Sequence, residues 1–338
     1  MLNKLHQLSI IKWLRNLYSS MKYDFHKDDN IFKSEIKNIN EDLNLLKDKI
    51  SLLKKELLYE KIMRSALENS DFSVLYSQEL NYIRENENLF VFPYKQIKKH
   101  KGIQSGYDIS LKLPYVYHNQ KRLYFPGFLT EEQAGEIYVN FIENENILGG
   151  GYKEKAPHQY QTDMFYVNNG DVFVDVGCAE ALFALDVVDK VKKVYLFESD
   201  EKWLDALRAT FNPYKEKVII INKLVSNIDS ETTITLSSAL KNEKEESLFI
   251  KMDIEGYETS VIAESQDFLQ NNDNIKLTCC TYHKQNDAEK LKEMFEKYGY
   301  NTEFSDGYML FNLDELKYPY FRKGIIRAWK NDQKTSNL

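Results

Sequence analysis

The sequence predicts an α/β protein, doubly wound around a mostly parallel sheet, and three observations carry that expectation. Five short apolar runs rich in valine and isoleucine follow one another from Gly170 onward: DVFVDVG (171–177), KVYLFESD (193–200), KVIIINKLVSN (217–227), SLFIKMDIEG (247–256) and IKLTCCTYH (275–283). Helical patterns over residues 181–190 and 202–211 separate the first three. The runs are apolar almost throughout rather than alternating, as strands covered on both faces are.

Composition bounds the rest. The chain has 338 residues, 43% hydrophobic and 29% charged, which suits one large domain or two smaller ones with a sizeable core. A net charge of −7 argues against a general nucleic-acid binder, because phosphate neutralisation needs a basic face. Tyrosine is abundant, at 23 residues, and suits either ring binding or plain packing. The cysteines are Cys178 and the adjacent pair Cys279 and Cys280, without zinc-ligand spacing, so a reduced cytoplasmic setting is expected. No apolar run approaches the ~20 residues of a membrane span. The first 23 residues are interrupted by Lys12 and Arg15 where a signal-peptide core would be continuous.

Three segments are expected: 1–63 for association, 64–156 as a small subdomain or linker that could cap a substrate, and 157–338 for the sheet. Leu5, Leu8, Ile11 and Leu14 fall at helical spacing beside Lys4, Lys12 and Arg15. That pattern fits a helix packed in an oligomer better than an interfacial membrane anchor. From Phe32 to Leu57 the apolar steps alternate four and three. Ile36, Leu43, Ile50 and Leu57 occupy one seam position; Phe32, Ile39, Leu46 and Leu53 occupy the other. About four heptads suffice for a coiled coil, so a homo-oligomer is predicted. Further on, Thr130 with Gln133 three residues later reads as a helix start, and Gly149, Gly150 and Gly151 as a connection or hinge.

In open parallel sheets, ligands bind beyond the carboxyl ends of the strands. The residues there are Asp175, Glu198 with Ser199, Ser226 and Asn227, Asp253 with Glu255, and His283, all polar. The first strand ends in VDVGCAEA, with Gly177 standing alone and Ala179 nearby. A dinucleotide fingerprint would want three glycines at fixed spacing, so a diphosphate is poorly served. Glu198 lies 23 positions after Asp175, placed for ribose hydroxyls. Strand-end acid, single glycine and ribose acid together suit a nucleoside with a cation, S-adenosylmethionine, bound by Asp175, Gly177, Ala179, Glu198, Ser199, Ser226, Asn227 and Asp253.

GDVFVDVGCAEALFAL, VYLFESD, FIKMDIEGYE and TYHKQND, in that order, resemble the FkbM-like S-adenosylmethionine-dependent methyltransferases, whose KIDVEG run looks like residues 251–256 here. The resemblance covers about residue 157 to the C-terminus and implies the seven-stranded, Rossmann-like methyltransferase sheet, with the cofactor's methionine end near Gly177 and its ribose on Glu198. Glu180 and Ala181 depart from the family's DVGANIG loop.

Methyl transfer to a hydroxyl needs a base within reach, or a metal that lowers the hydroxyl pKa. His283 at a strand end is the candidate base, with Asp253 and Glu255 beside it. Asp253 and Glu255 are two apart and share a side while the chain stays extended. With His283 and Glu180 they would also suit a divalent Mg, Mn or Fe ion. Without a metal, Asp253 could orient His283 or sit near the sulfonium, while Glu255 and Glu258 favour a helix N-terminus. His158, Gln159, Tyr282 and Lys284 are candidate substrate contacts, and the basic stretch from Arg322 to Lys330 a phosphate or oligomer contact. The leading expectation is an O-methyltransferase acting on a sugar hydroxyl. By family analogy the acceptor is a nucleotide-activated sugar for a surface (capsular or lipo-) polysaccharide. The rivals are a methyltransferase of a lipid or small natural product and a non-catalytic coiled-coil scaffold.

Overall fold

A computed structural model describes residues 29–97, 102–145, 151, 155–243, 246–313 and 316–330. The basic amphipathic stretch at the N-terminus, and Gly149 and Gly150, lie outside the described residues. The chain divides into two compact units, Met1–Leu58 and Tyr59–Leu338. The second unit therefore takes in both the small subdomain expected at 64–156 and the sheet expected from 157.

One helix, α1 (Asp29–Glu68), runs through the whole heptad region. It contains neither glycine nor proline, and Lys, Glu and Leu, all strong helix formers, fill half of it. Within its own unit, Ile39, Leu46 and Leu53 of one seam position are 45%, 55% and 63% exposed, and Leu43, Ile50 and Leu57 of the other are exposed as well.

The second unit begins with the last ten residues of α1 and continues with α2 (Ser70–Leu75) and α3 (Ser77–Asn86), then an antiparallel sheet of β1 (Ser105–Asp108), β2 (Leu113–His118) and β3 (Lys121–Tyr124). Asn119 and Gln120, the two residues between β2 and β3, both take positive φ, 48° and 69°, the geometry of the tightest hairpin turns. Helix α4 (Glu131–Asn140) starts where Thr130 predicts. The Thr130 hydroxyl accepts the Gln133 N–H, and the Gln133 side chain accepts the Thr130 N–H in return, at 3.2 and 2.9 Å. A π-helical turn, Phe141–Glu145, extends it.

The main sheet comprises β4 (Val172–Val176), β5 (Lys193–Phe197), β6 (Val218–Ile221), β9 (Leu248–Met252), β10 (Ile275–Cys280), β11 (Asn301–Phe304) and β12 (Ile325–Trp329); a short pair, β7 (Leu224–Val225) and β8 (Thr233–Ile234), stands apart. Its order is β11-β12-β10-β9-β4-β5-β6, parallel except for β12. The chain builds outward from β4 through β5 to β6, then returns to add β9 and β10 on the other side. The order reverses between β4 and β9. Helices α5 (Leu182–Val187), α6 (Leu204–Phe211), α7 (Leu236–Ala239), α8 (Glu258–Glu264), α9 (Gln266–Gln270) and α10 (Asp287–Lys297) complete the unit.

The expected two-faced burial is present. Every residue of β4, β9 and β10 is buried. Phe173 and Phe249 enter one core with Phe183, Leu196 and Trp329. Val172, Val174, Ile250 and Met252 enter the other with Val261, Leu277 and Phe295. Successive side chains leave opposite faces of a strand, so only a run apolar at every position fills both layers. Among the described residues, no helix is long and apolar enough to cross a membrane.

Residues 321–330 differ from the expected basic contact surface. They include β12, paired between β10 and β11, and Arg322, Arg327 and Lys330 are buried against backbone carbonyls. Arg322 donates to the carbonyls of Tyr282 and His283 at 2.6 and 3.0 Å. Arg327 donates to those of Gln159 and Phe304, and Lys330 to those of Leu269 and Gln270. Carbonyls at the ends of strands and helices lack ladder partners, and long cationic side chains satisfy several at once.

The capping box gives a direct test. Thr130→Ala is expected to lower unfolding free energy by about 1 kcal/mol in urea denaturation, without changing the fold.

Candidate active site

The carboxyl ends of β4 and β9 open onto a cavity of about 540 Å³. Its lining includes Asp175, Gly177, Ala179, Glu180, Glu198, Ser199, Asp253 and Glu255, all singled out from the sequence. Ser226 and Asn227 fall outside it; the preceding residues Lys223, Leu224 and Val225 line the wall instead. Apolar surface comes from Phe183, Phe197 and Trp203.

Gly177 sits where the two strand ends almost touch. It has φ +77°, and a Cβ there would lie 1.9 Å from the Asp253 carbonyl oxygen. Glycine is thus the residue this crossing admits. Ala179 and Ala181, with φ of 44° and 60°, carry the strain of the loop that departs from DVGANIG. Glu198 holds the loop from the next strand. One carboxylate oxygen accepts the Ala179 N–H and the other the Asp200 N–H, both at 2.8 Å.

Lys251, buried beneath this crossing, places its ammonium 3.0 Å from Asp175 and donates to the Gly177 carbonyl at 2.6 Å. Burial alone would lower its pKa, but Asp175 and Asp253 hold it above the ordinary lysine value. Asp253 is the mirror case. Burial would raise its pKa, yet Lys251, His283 and His158 hold it below the ordinary carboxylate value. Asp253 is therefore an anion. The Tyr282 hydroxyl donates to it at 3.3 Å and the Tyr160 hydroxyl lies 3.4 Å away, while both hydroxyls also meet His158 Nε2, at 3.4 and 3.1 Å.

His283 lies between carboxylates on opposite sides of its ring. Nδ1 is 2.8 Å from Glu258, which is fully buried at the first residue of α8 and also accepts the Ile254 N–H. Nε2 faces Asp253 at 3.4 Å and Glu255 at 3.6 Å. Burial would lower the imidazole pKa, but Glu258, Asp253 and Glu255 together raise it above 6.5. A carboxylate at Nδ1 selects the tautomer protonated there and leaves the Nε2 lone pair for proton transfer or ligation.

Strand alternation does not bring Asp253 and Glu255 together, as had been expected. Glu255 takes φ +54° and the chain turns back at Gly256, so Glu255 reaches His283 from an exposed turn. Among the described residues, the groups whose ligand atoms converge within 4.8 Å are His158–Asp253–Cys280 and Asp253–Glu258–His283. Neither contains Glu180 or Glu255. In the second group Asp253 and Glu258 approach opposite ring nitrogens, so the imidazole stands between them.

Of the substrate candidates, His158 lines the cavity, and Tyr282 touches Asp253 from a second cavity next door. Gln159 is buried and gives its carbonyl to Arg327. Lys284 donates to the Gly256 carbonyl and props the turn that carries Glu255. Burial raises the thiols of Cys178 and Cys280 well above their ordinary pKa, which removes them as nucleophiles.

Three contributors escaped sequence reasoning. Glu258 reads as helix-terminal charge, Lys251 as the polar break in an apolar strand, and Tyr160 as one tyrosine of 23. A lysine at the middle of a run otherwise buried on both faces is the one signal available, since a buried ammonium demands a buried partner.

The Glu258–His283 pair has a measurable consequence. A protonated His283 stabilises the fold, fully below about pH 6.5, and that contribution is lost as pH rises through its raised folded pKa. Glu258→Gln keeps the volume and removes the charge at Nδ1. NMR titration is expected to show a lower His283 pKa in this variant, with the pH-dependent part of stability reduced; an unchanged pKa would refute the pairing.

Residues 156–302 match the family model described as Methyltransferase FkbM domain. No curated protein matches the chain. Among solved structures, similarity is found to precorrin-6y C5,15-methyltransferase from Geobacter metallireducens GS-15, with 15% identity, 50% of this chain and 84% of that one covered, and a TM-score of 0.35. The M. jannaschii tRNA m1G37 methyltransferase shows 14% identity over 65% of this chain and 58% of its own, with a TM-score of 0.35. M. jannaschii TYW2 in complex with AdoMet shows 16% identity over 72% and 93%, with a TM-score of 0.32. Sheet order, strand-end glycine and family match agree, and over residues 156–302 the chain carries an FkbM-like methyltransferase domain.

Proposed function

We propose that the protein is an S-adenosylmethionine-dependent O-methyltransferase whose acceptor is a sugar hydroxyl. One observation carries the reading: a histidine whose Nδ1 lies 2.8 Å from a buried glutamate turns Nε2 toward Asp253 and Glu255, two carboxylates that line the cavity at the sheet's switch point.

The residues present fit the cofactor. Each Glu198 oxygen takes one backbone N–H and keeps a lone pair for a ribose hydroxyl. Phe197 and Trp203 offer apolar surface to a base, and the anionic Asp253 favours a cation. When bound, S-adenosylmethionine supplies an electrophilic methyl group on a sulfonium. His283 Nε2 accepts the proton of the acceptor hydroxyl, and Glu258 at Nδ1 stabilises the imidazolium that results. Tyr160 and Tyr282 fix Asp253, and Arg322, through the carbonyls of Tyr282 and His283, fixes the turn that bears the base.

A second reading gives the same residues a metal. Nε2 faces Asp253 and Glu255 together, with Glu258 behind Nδ1 as the orienting carboxylate that metal-bound histidines usually have. A divalent ion there would activate the hydroxyl in place of the free imidazole. The expectation against nucleic acid rests on the net charge of −7, and the free cysteines support a cytoplasmic setting. Association through α1 is supported by its exposed heptad seam.

Calorimetry with S-adenosylhomocysteine tests the reading, and absence of binding would overturn it. His283→Ala is expected to lower turnover on a nucleotide-sugar by roughly 10²- to 10⁴-fold while S-adenosylhomocysteine affinity holds. Turnover that survives a chelator selects the free base over the metal. Replacing Leu46 and Leu53 by lysine is expected to reduce the sedimenting species to a monomer; an unchanged oligomer would reject the seam as the interface.

A further inference from the structure

Beside the cavity at the strand ends lies a second one, of about 690 Å³, which the sequence did not announce. We infer that it is the acceptor pocket and holds the glycosyl ring whose hydroxyl is methylated, an inference that rests on the methyltransferase reading above.

Position is the first argument. His158 lines both cavities, and Tyr282, in the wall of the second, reaches Asp253 of the first at 3.3 Å. Phe311, also in that wall, packs against both Tyr282 and His283, with ring centroids 4.7 and 5.3 Å apart. The end of α4 and its π-turn straddle the two spaces: Phe141 faces the first, Asn140 and Asn144 the second. An acceptor seated in the second cavity thus meets the reacting centre at His158, Tyr282 and Asp253, next to the candidate base.

The walls are built rather than incidental. The Val91 carbonyl accepts the Leu310 N–H at 2.9 Å, strapping the Phe90–Gln96 side to the loop that leads into β12. The half-buried Tyr94 donates its hydroxyl to the buried Glu79 and accepts the Tyr308 N–H at 2.7 Å. Burial, with Glu79 beside it, pushes the Tyr94 pKa far up, so the hydroxyl stays a donor. Gly307 takes φ +81°, the left-handed region that favours glycine, and a Cβ there would press on that hydroxyl.

Chemistry is the second argument. Phe90, Phe92 and Phe311 present flat apolar rings, and Asn140 and Asn144, joined to each other at 2.6 Å, keep further donors and acceptors. A pyranose has this same duality, with C–H faces that stack on rings and a rim of hydroxyls that amides read. Among the described lining residues, Lys95 is the one permanent cation. The pocket therefore fits a neutral or singly anionic ring, and a diphosphate would lie outside it.

Saturation-transfer NMR on the full chain loaded with S-adenosylhomocysteine tests this. The probes are methyl glucoside, glucuronate, UDP-N-acetylglucosamine and, as an apolar control, octanol. At least one sugar is expected to show ring-proton saturation in the wild type. Phe92→Ala and Asn144→Leu, on different walls, are each expected to abolish it with S-adenosylhomocysteine affinity unchanged; that affinity also reports folding. Saturation by octanol alone, by no sugar, or retained in both variants overturns the assignment. A wild type that fails to bind S-adenosylhomocysteine instead removes the methyltransferase reading on which it rests.

Discussion

The site depends on a buried ammonium. Lys251, near the end of β9, reaches Asp175 at the end of β4 and the Gly177 carbonyl just beyond it. Parallel strands are tied by their ladder up to Asp253 N–H and the Val176 carbonyl, and past that point nothing in a sheet fixes the loops. Lys251 does so across the switch point. Removing one partner of such a buried pair leaves an uncompensated charge and costs about 3–5 kcal/mol. The strand ends therefore approach so closely that Gly177 has no room for a side chain, and Asp253 stands at one fixed place.

From that anchor, charge alternates outward in one connected set: Lys251, Asp253, His283 and Glu258. Each ionised member lowers the cost of burying the next, which explains why Asp253 stays anionic and His283 favours its proton although burial opposes both. Arg322 and Arg327 act at a further remove, on carbonyls, and join the approach to β12 and the strand itself to the segments that carry His283 and Gln159. A strand that runs against its neighbours thus becomes the scaffold of the base.

Where the sequence was misleading, a physical reason can be named. Ser226 and Asn227 follow an apolar run that looks like one strand, but it breaks at Asn222 into β6 and β7, which moves the wall back to Lys223–Val225. The turn at Glu255 requires a positive φ from a non-glycine residue, which no propensity announces. The hairpin at Asn119 and Gln120 likewise lacks the glycine that would signal it. Glu258 read as a helix-end acid because its partner, His283, is 25 residues away.

By itself the sequence determined whatever depends on local periodicity and composition. That includes strands buried on both faces, the capped start of α4, the unbroken α1, and which polar residues stand at the carboxyl edge. These follow from alternation, propensity and capping, which act within a few residues. Only the tertiary structure decided which edge residues meet, because the pairings of β9 with β4 and with β10 join positions 76 and 27 residues apart and burial then sets each group's charge. It also decided that the tyrosine- and phenylalanine-rich segments before the sheet close a second cavity against His158 and Tyr282. Aromatic content alone has no direction; packing gives it one.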